Sequence, residues 1–319
     1  MQSFRNILVG VDLSHADRIA TDELSLPTVA AVHRAIQFAG HLGAEITFFA
    51  VLDLSAQALE LIEQDDELPS HHNVEDSAHE VLAELVQQAA EAGITATGKV
   101  VIGKSWVEMI KEVLKENHDL VMIGTRNKSR VSQILFGSTG MKLLRKCPCP
   151  VWVIRPDLTP KVYNVLVASD FSDVSQRALD IAVNGAQMEE ANVHLITAIE
   201  DHLSRRMKQS GVSQEKVEAY RESMLEKAEC ELHSQLTQTD HRTLAQPVQV
   251  HVGEGPADLV VLDAIDKYEI DLLVMGTVAR GGIAGMIVGN TAEQLLPQVP
   301  CSLLAIKPDD FVCPITLES

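Results

Sequence analysis

Aromatic side chains are scarce: two Trp, three Tyr and seven Phe, 4% of 319 residues. So few rings leave little platform on which the bases of a single nucleic-acid strand could stack. Basic residues are also outnumbered, 26 Lys and Arg against 45 Asp and Glu, for a net charge of -19. That field repels a polyphosphate backbone, so direct nucleic-acid binding is not expected, and any small anion must be held by local donors. Long apolar runs are missing too. The nearest, 270–289, carries Asp271 and Arg280 and reads as strand plus loop rather than as a membrane helix. The opening MQSFRNILVG has no basic region leading into a long apolar stretch, so no secretory signal is read. Five cysteines, an odd number without regular spacing, fit a reducing, cytoplasmic setting better than a disulfide framework.

What is present is a duplication. ILVGVDLS (Ile7–Ser14) matches VLVASDFS (Val165–Ser172), DLVMIGT (Asp119–Thr125) matches DLLVMGT (Asp271–Thr277), and CPVWVIRP (Cys149–Pro156) matches CSLLAIKP (Cys301–Pro308). With 46% apolar residues, the length suits two domains of about 150 residues. The expected boundaries are 1–157 and 158–319, joined by the short linker PDLTPK.

Periodicity predicts the same order in each half. In the first, strands are expected at Asn6–Val11, Glu45–Leu52, Ile94–Ile102, Asp119–Ile123 and Val151–Arg155, with helices at Thr28–Leu42, Val74–Ala92, Ser105–Glu116 and Ser138–Lys146. In the second, strands are expected at Tyr163–Ser169, Asn192–Ile199, Val248–Val252, Asp271–Met275 and Ser302–Lys307. The helices there are Val174–Met188, Ser213–Leu236 after a polar stretch, Pro256–Asp266 and Thr291–Leu296. Alternating strands and helices imply an α/β fold: two tandem, doubly wound, parallel five-stranded sheets of Rossmann-like or flavodoxin-like type. Ligands of such sheets bind at the carboxyl ends of strands where strand order reverses. If strands one and four are neighbours there, Asp12 meets Gly124 and Asp170 meets Gly276.

Two loops stand out, Gly124–Thr139 (GTRNKSRVSQILFGST) and Gly276–Thr291 (GTVARGGIAGMIVGNT). Each ends in glycine and small polar residues opening a helix, whose free N–H groups and positive dipole end attract phosphate. Ser138 and Thr139 can cap that helix or bond a phosphate oxygen. A glycine-rich turn with an ordinary helix cap is the plainer account of one loop alone. Two copies, each facing an aspartate after strand one, favour phosphate.

These loops resemble the motif of the universal stress protein family, glycine, two residues, glycine, nine residues, glycine, then serine or threonine. Both halves resemble that family's tandem, E-type subfamily, most closely in GNTAEQLLPQVPCSLLAIKPD. The resemblance implies a stress-response protein that binds adenine nucleotide, ATP with magnesium beside its phosphates, and acts through regulatory partner contacts. Carried over, Asp12, Val51, Ile123, Gly124, Asn127, Gly137, Ser138 and Thr139 would hold it in the first half. Asp170, Ala198, Met275, Gly276, Ala279, Gly289, Asn290 and Thr291 would do so in the second. The second motif glycine is replaced by Asn127 in one copy and Ala279 in the other, and Asn290 stands where the first copy has Ser138. Asparagine tolerates a left-handed backbone better than alanine does. The first half is therefore expected to bind ATP more tightly. The resemblance further implies an intrachain pseudo-dimer through the last strands, Val151–Arg155 and Ser302–Lys307, open to forming a homodimer. The alternatives are a slow ATPase, or a second domain that binds a different small ligand. No GxSxG or HExxH string is present, so no catalytic residues are assigned.

Three other features compete for attention. Gly98–Ser105, GKVVIGKS, is a literal Walker A string. Its β-branched middle prefers extended backbone, which argues against a phosphate loop. His71, His72 and His79 lie among Asp65, Asp66, Glu67, Glu75 and Asp76, without tight ligand spacing, and read as a solvated acidic stretch rather than a metal site. Cys147-Pro148-Cys149-Pro150 fits the turn into strand five. Cys149 and Cys301 occupy matching positions before the last strand, which suggests packing rather than chemistry.

Overall fold

A computed structural model describes residues 4–13, 24–53, 72–125, 137–156, 163–277 and 289–317. Described residues up to 156, with those of Asp310–Ser319, form one compact unit; those of Lys161–Asp309 form another. The linker at 157–162 lies outside the described residues.

In the first unit the elements run β1 (Asn6–Val11), α1 (Leu26–Leu42), β2 (Glu45–Leu52), α2 (His72–Glu91), β3 (Ala96–Ile102), α3 (Ser105–Glu116), β4 (Leu120–Gly124), α4 (Ser138–Lys146) and β5 (Val151–Ile154). All pairings are parallel and give the order β3-β2-β1-β4-β5. The second unit repeats this with β6 (Asn164–Ala168), α5 (Asp173–Glu189), β7 (Asn192–Ile199), α6 (His202–Gln209), α7 (Gln214–Leu236), β8 (Gln249–Glu254), α8 (Ala257–Lys267), β9 (Leu272–Gly276), α9 (Asn290–Leu295) and β10 (Ser302–Ile306). Its order is β8-β7-β6-β9-β10. The α/β class and the parallel, doubly wound sheets are as the sequence predicts.

Central strands are apolar on both faces because helices cover both. Ile7, Leu8 and Val9 in β1, and Leu120, Val121 and Met122 in β4, are fully buried. The strands β3 and β8, last in their rows, instead mix half-buried and exposed residues. That explains their weaker apolar pattern, ATGKVVI and QVHVGE.

A matching device fixes the amino end of each sheet. The Asp119 carboxylate accepts from the backbone N–H of Arg5 (2.7 Å) and Asn6 (3.1 Å), and Asn6 Nδ2 donates to the Glu116 carbonyl. Asp271 accepts from Tyr163 and Asn164 N–H, both at 2.9 Å, and Asn164 Nδ2 donates to the Glu269 carbonyl. Each aspartate thus ties the start of the first strand to the start of the fourth through charge-assisted bonds.

Helix ends follow their capping residues. Ser25 precedes α1 with Pro27 in its first turn, which moves the start from the expected Thr28 to Leu26. Gly43 closes α1 in the left-handed conformation, φ 63°. Gly93, φ 78°, closes α2, and Ile94 N–H bonds back to the Ala89 carbonyl, so β3 starts at Ala96 rather than Ile94. The polar stretch before α7 contains a helix of its own, α6, which apolar periodicity gave no reason to expect.

His194 in β7, His251 in β8 and Tyr268 after α8 stack their rings, with centroids 4.3–5.3 Å apart. His251 Nε2 lies 3.1 Å from His194 Nδ1, and Tyr268 Oη lies 3.2 Å from His251 Nδ1. Two neutral imidazoles satisfy both contacts: Tyr268 donates to His251, and His251 donates to His194. Burial, then His194, then Lys267 hold the His251 pKa down at about 4. The sign follows from proton uptake. Between about pH 6.5 and 4 the unfolded chain binds a proton on His251 that the folded chain refuses, so stability falls as pH falls. The loss should reach about 1–2 kcal/mol, water screening the half-buried ring. Urea midpoints measured from pH 7 to pH 4 should drop in the wild type, and that drop should flatten in His251→Gln.

Candidate nucleotide site at the carboxyl edge

The strand order reverses between β1 and β4 in the first unit and between β6 and β9 in the second, so a crevice opens at the carboxyl ends of each pair. The register Val9↔Met122, continued, places the half-buried Asp12 beside Thr125. Likewise Ala168↔Met275 places Asp170 beside Thr277. Residues 107 positions apart in the second chain half are thereby brought to one crevice. Val51 sits near the end of β2 opposite Val101. Ala198 holds the matching place in β7, opposite Gly253. Ile123 and Gly124 end β4; Met275 and Gly276 end β9. Asn127 and Ala279, with the loop interiors at 126–136 and 278–288, lie outside the described residues.

The sequence placed Gly124 and Gly276 at the start of a turn. Both are instead the last residues of strands, and neither has a positive φ. Close approach accounts for them. A Cβ on Gly124 would stand 2.2 Å from the Pro27 carbonyl oxygen, and one on Gly276 would stand 2.9 Å from Val174 Cγ1. Each glycine lets the helix after the first strand lie directly on the fourth.

Gly137 (φ -47°, ψ 168°) is the cap residue of α4, and Gly289 (φ -72°, ψ 152°) that of α9. Neither helix start receives a side-chain cap. The exposed Ser138 and half-buried Thr139 open α4, whose first intrahelical bond is from Met141 N–H to the Gly137 carbonyl. The amides of Ser138, Thr139 and Gly140 precede that bond and form the donor-rich end of the helix. In the second unit Asn290 and Thr291 open a helix of six residues, and Gly289 N–H is bonded to the Thr277 carbonyl at 2.9 Å.

The two crevices differ in chemistry. Asp170 Oδ1 accepts from Ser172 N–H and Ser172 Oγ, and Ser172 caps α5 through Ser175 N–H. Ser169 Oγ donates to Gln235 Oε1 (2.6 Å), Gln235 Nε2 donates to Ser175 Oγ, and Thr197 Oγ1 donates to the Ser169 carbonyl. All four side chains are buried. Aligned on the repeat, Val11 and Ala50 take the places of Ser169 and Thr197 in the first unit. Lys307, 1% exposed, donates from Nζ to Thr277 Oγ1 at 2.7 Å. Sequence reading missed Gln235 and Lys307. The alignment of CPVWVIRP with CSLLAIKP did carry a signal, a cation just past the last strand in both copies.

The Walker A string does not curl. Gly98–Ile102 is strand, paired along β2 from Phe48↔Gly98 to Leu52↔Ile102, and Lys104 precedes α3 in extended conformation. His79, Glu75 and Asp76 are exposed on α2, and among the described residues no three His, Cys, Asp or Glu side chains gather as ligands. His71 and the acidic residues at 65–67 lie outside them.

A duplicated switch-point α/β domain, each copy with a glycine-led helix at its carboxyl edge, is the class that fold and site define. The sequence model of the universal stress protein family matches residues 3–155 and again 162–307. The chain belongs to the universal stress protein family, as a tandem member. It is 26% identical to universal stress protein E of Photorhabdus laumondii, over 99% of this chain and 98% of that protein. It is likewise 26% identical to universal stress protein E of Escherichia coli K12, over 100% and 98%. Among solved structures, a universal stress protein of Archaeoglobus fulgidus superposes with a TM-score of 0.64 at 23% identity, covering 96% of this chain and 99% of that one. Among the described residues, no helix is long and apolar enough to cross a membrane.

The glycine contacts give a direct expectation. Gly124→Ala forces a carbon into backbone and should cost about 2–3 kcal/mol, whereas Gly276→Ala meets a side chain that can rotate and should cost about 1 kcal/mol. Urea denaturation of the two variants reads the order.

Proposed function

We propose that this protein is a cytoplasmic stress-response protein whose first unit binds ATP and whose partner contacts change with the bound nucleotide. The observation that carries the reading is the first unit's carboxyl edge: β1 and β4 pair at the strand-order reversal, Asp12 follows one and Thr125 the other, and α4 starts on Gly137 without a side-chain cap. The helix start supplies amide donors and a positive dipole end to phosphates, which the net charge of -19 would otherwise repel. Ser138 and Thr139 add hydroxyls at the same place. Asp12 and the end of β2 at Val51 are the positions that would hold the adenosine. Asp12 is also the carboxylate that could hold a magnesium ion, which would neutralise phosphate charge.

The second unit binds ATP more weakly, or takes a different small ligand. The helix at Gly289 is short, and a hydrogen-bonded polar cluster replaces the apolar pair Val11 and Ala50. Calorimetric titration of the purified protein with ATP and magnesium should give one strong site per chain. Gly137→Val should weaken it at least about tenfold, and Gly289→Val less than about twofold. Equal losses would sink the assignment to the first unit, and no binding by the wild type would sink the nucleotide reading.

A further inference from the structure

The turn between α4 and β5 carries two cysteines, and the chain's closing segment brings a third. Cys147 ends α4 with its N–H on the Leu143 carbonyl and its backbone extended (φ -67°, ψ 133°). Pro148 and Pro150 flank Cys149, and proline rings stiffen the turn by fixing φ. Extended backbone puts residues i and i+2 on one side. The two sulfurs stand 3.6 Å apart, both residues buried. A disulfide needs about 2.05 Å between sulfurs, so closure asks for a shift of roughly 1.5 Å, within reach of side-chain rotation.

The duplication supplies an internal control. In the second unit Val299-Pro300-Cys301 replaces Cys147-Pro148-Cys149. Cys301 is buried at the position of Cys149, so filling the core explains that cysteine in both copies. Cys147 takes the place of the fully buried Val299, so core filling accounts for its size but not for a sulfur set beside that of Cys149. Nor does it explain Cys313, half-buried, whose Sγ donates to the carbonyl of Lys146 at 3.4 Å, one residue before Cys147. Cys313 belongs to Asp310–Ser319, which joins the first unit although it follows the last strand of the second. Cys313 is thus bonded to the residue before the pair in the same unit, and of the three it is the one with solvent access.

We propose that Cys147 and Cys149 are an oxidation-sensitive dithiol, and that Cys313 is the sulfur through which a hydroperoxide reaches them. The Cys313 thiolate attacks the peroxide oxygen; with one proton taken up, the O–O bond breaks, an alcohol or water leaves, and Cys313 becomes a sulfenic acid. The Cys147 sulfur then attacks the Cys313 sulfur and loses its proton, water leaves, and a 147–313 disulfide forms. Cys149 displaces Cys313 by thiol–disulfide exchange, which returns Cys313 as a thiol and leaves the 147–149 disulfide. The sum is two thiols oxidised by two electrons and one hydroperoxide reduced to an alcohol and water. Burial pushes the Cys313 thiol up, with Cys147 adding to it; the hydrogen bond to Cys147 and burial do the same for Cys149. Little thiolate exists at neutral pH, so the site responds to sustained oxidant rather than to basal levels.

The test treats the full-length protein with hydrogen peroxide, then denatures it, labels it with N-ethylmaleimide and maps it by mass spectrometry. The peptide holding Cys147 and Cys149 should become two hydrogens lighter and escape label, while Cys301 stays labelled. Cys313→Ser should slow that change about tenfold or more, and Cys149→Ser should trap a 147–313 crosslink. Full labelling of Cys147 and Cys149 after the exposed Cys230 has oxidised would overturn the dithiol. An equally fast change in Cys313→Ser would overturn the relay through Cys313. If a serine variant unfolds, as its urea midpoint would show, the wild-type map alone decides the dithiol.

Discussion

Each unit depends on one pairing, that of its first strand with its fourth. These strands are about 110 residues apart in sequence, yet every other feature is placed relative to them. At the amino end an aspartate, Asp119 or Asp271, accepts the first amides of the partner strand. At the carboxyl end a glycine, Gly124 or Gly276, admits the helix that follows the first strand, to the Pro27 backbone in one unit and the Val174 side chain in the other. Between them lie fully buried aliphatic residues. A crevice is expected at the carboxyl ends because the chain leaves the first strand to one side and the fourth to the other.

Duplication has been followed by divergence at that crevice. The sheet order, the aspartate ties and the close-approach glycines are kept in both units, and these are the parts on which folding rests. The differences gather at the ends of the first and second strands. Val11 and Ala50 in one copy stand against Ser169 and Thr197 in the other, where Gln235 completes a closed set of hydrogen bonds. A buried polar network of this kind rigidifies the edge it occupies. In the second unit part of that edge has thus become a hydrogen-bonded cluster, where the first has apolar residues.

Most of the fold was legible because it rests on local signals: β-branched runs, helical periodicity, and caps such as Gly43. The repeat made it more so, since each half checks the other. Strand ends were read less well. Gly124 and Gly276 looked like turn residues because glycine after an apolar run usually is one, and only the approach of Pro27 and Val174 shows why they belong to the strand. Helix α6 was missed because only Leu203 and Met207 mark an apolar spacing in an otherwise polar stretch. Asp12, Gly137 and Ser138 were named from motif and resemblance, whereas Thr125 was not. Gln235 and Lys307 were not, because each acts across a fold distance that spacing in sequence does not encode. The Walker A string shows the reverse error that pattern alone invites: the right letters lie along a paired strand.

The closing segment Asp310–Ser319 has an unusual allegiance. It is reached only after the second domain is complete, yet it is part of the first. Ribosomal synthesis therefore finishes the amino-terminal domain last, and a gene cut at the PDLTPK junction yields one half short of a piece and another with a stray end. Dissecting the duplicate cleanly requires moving those ten residues back to the half they serve.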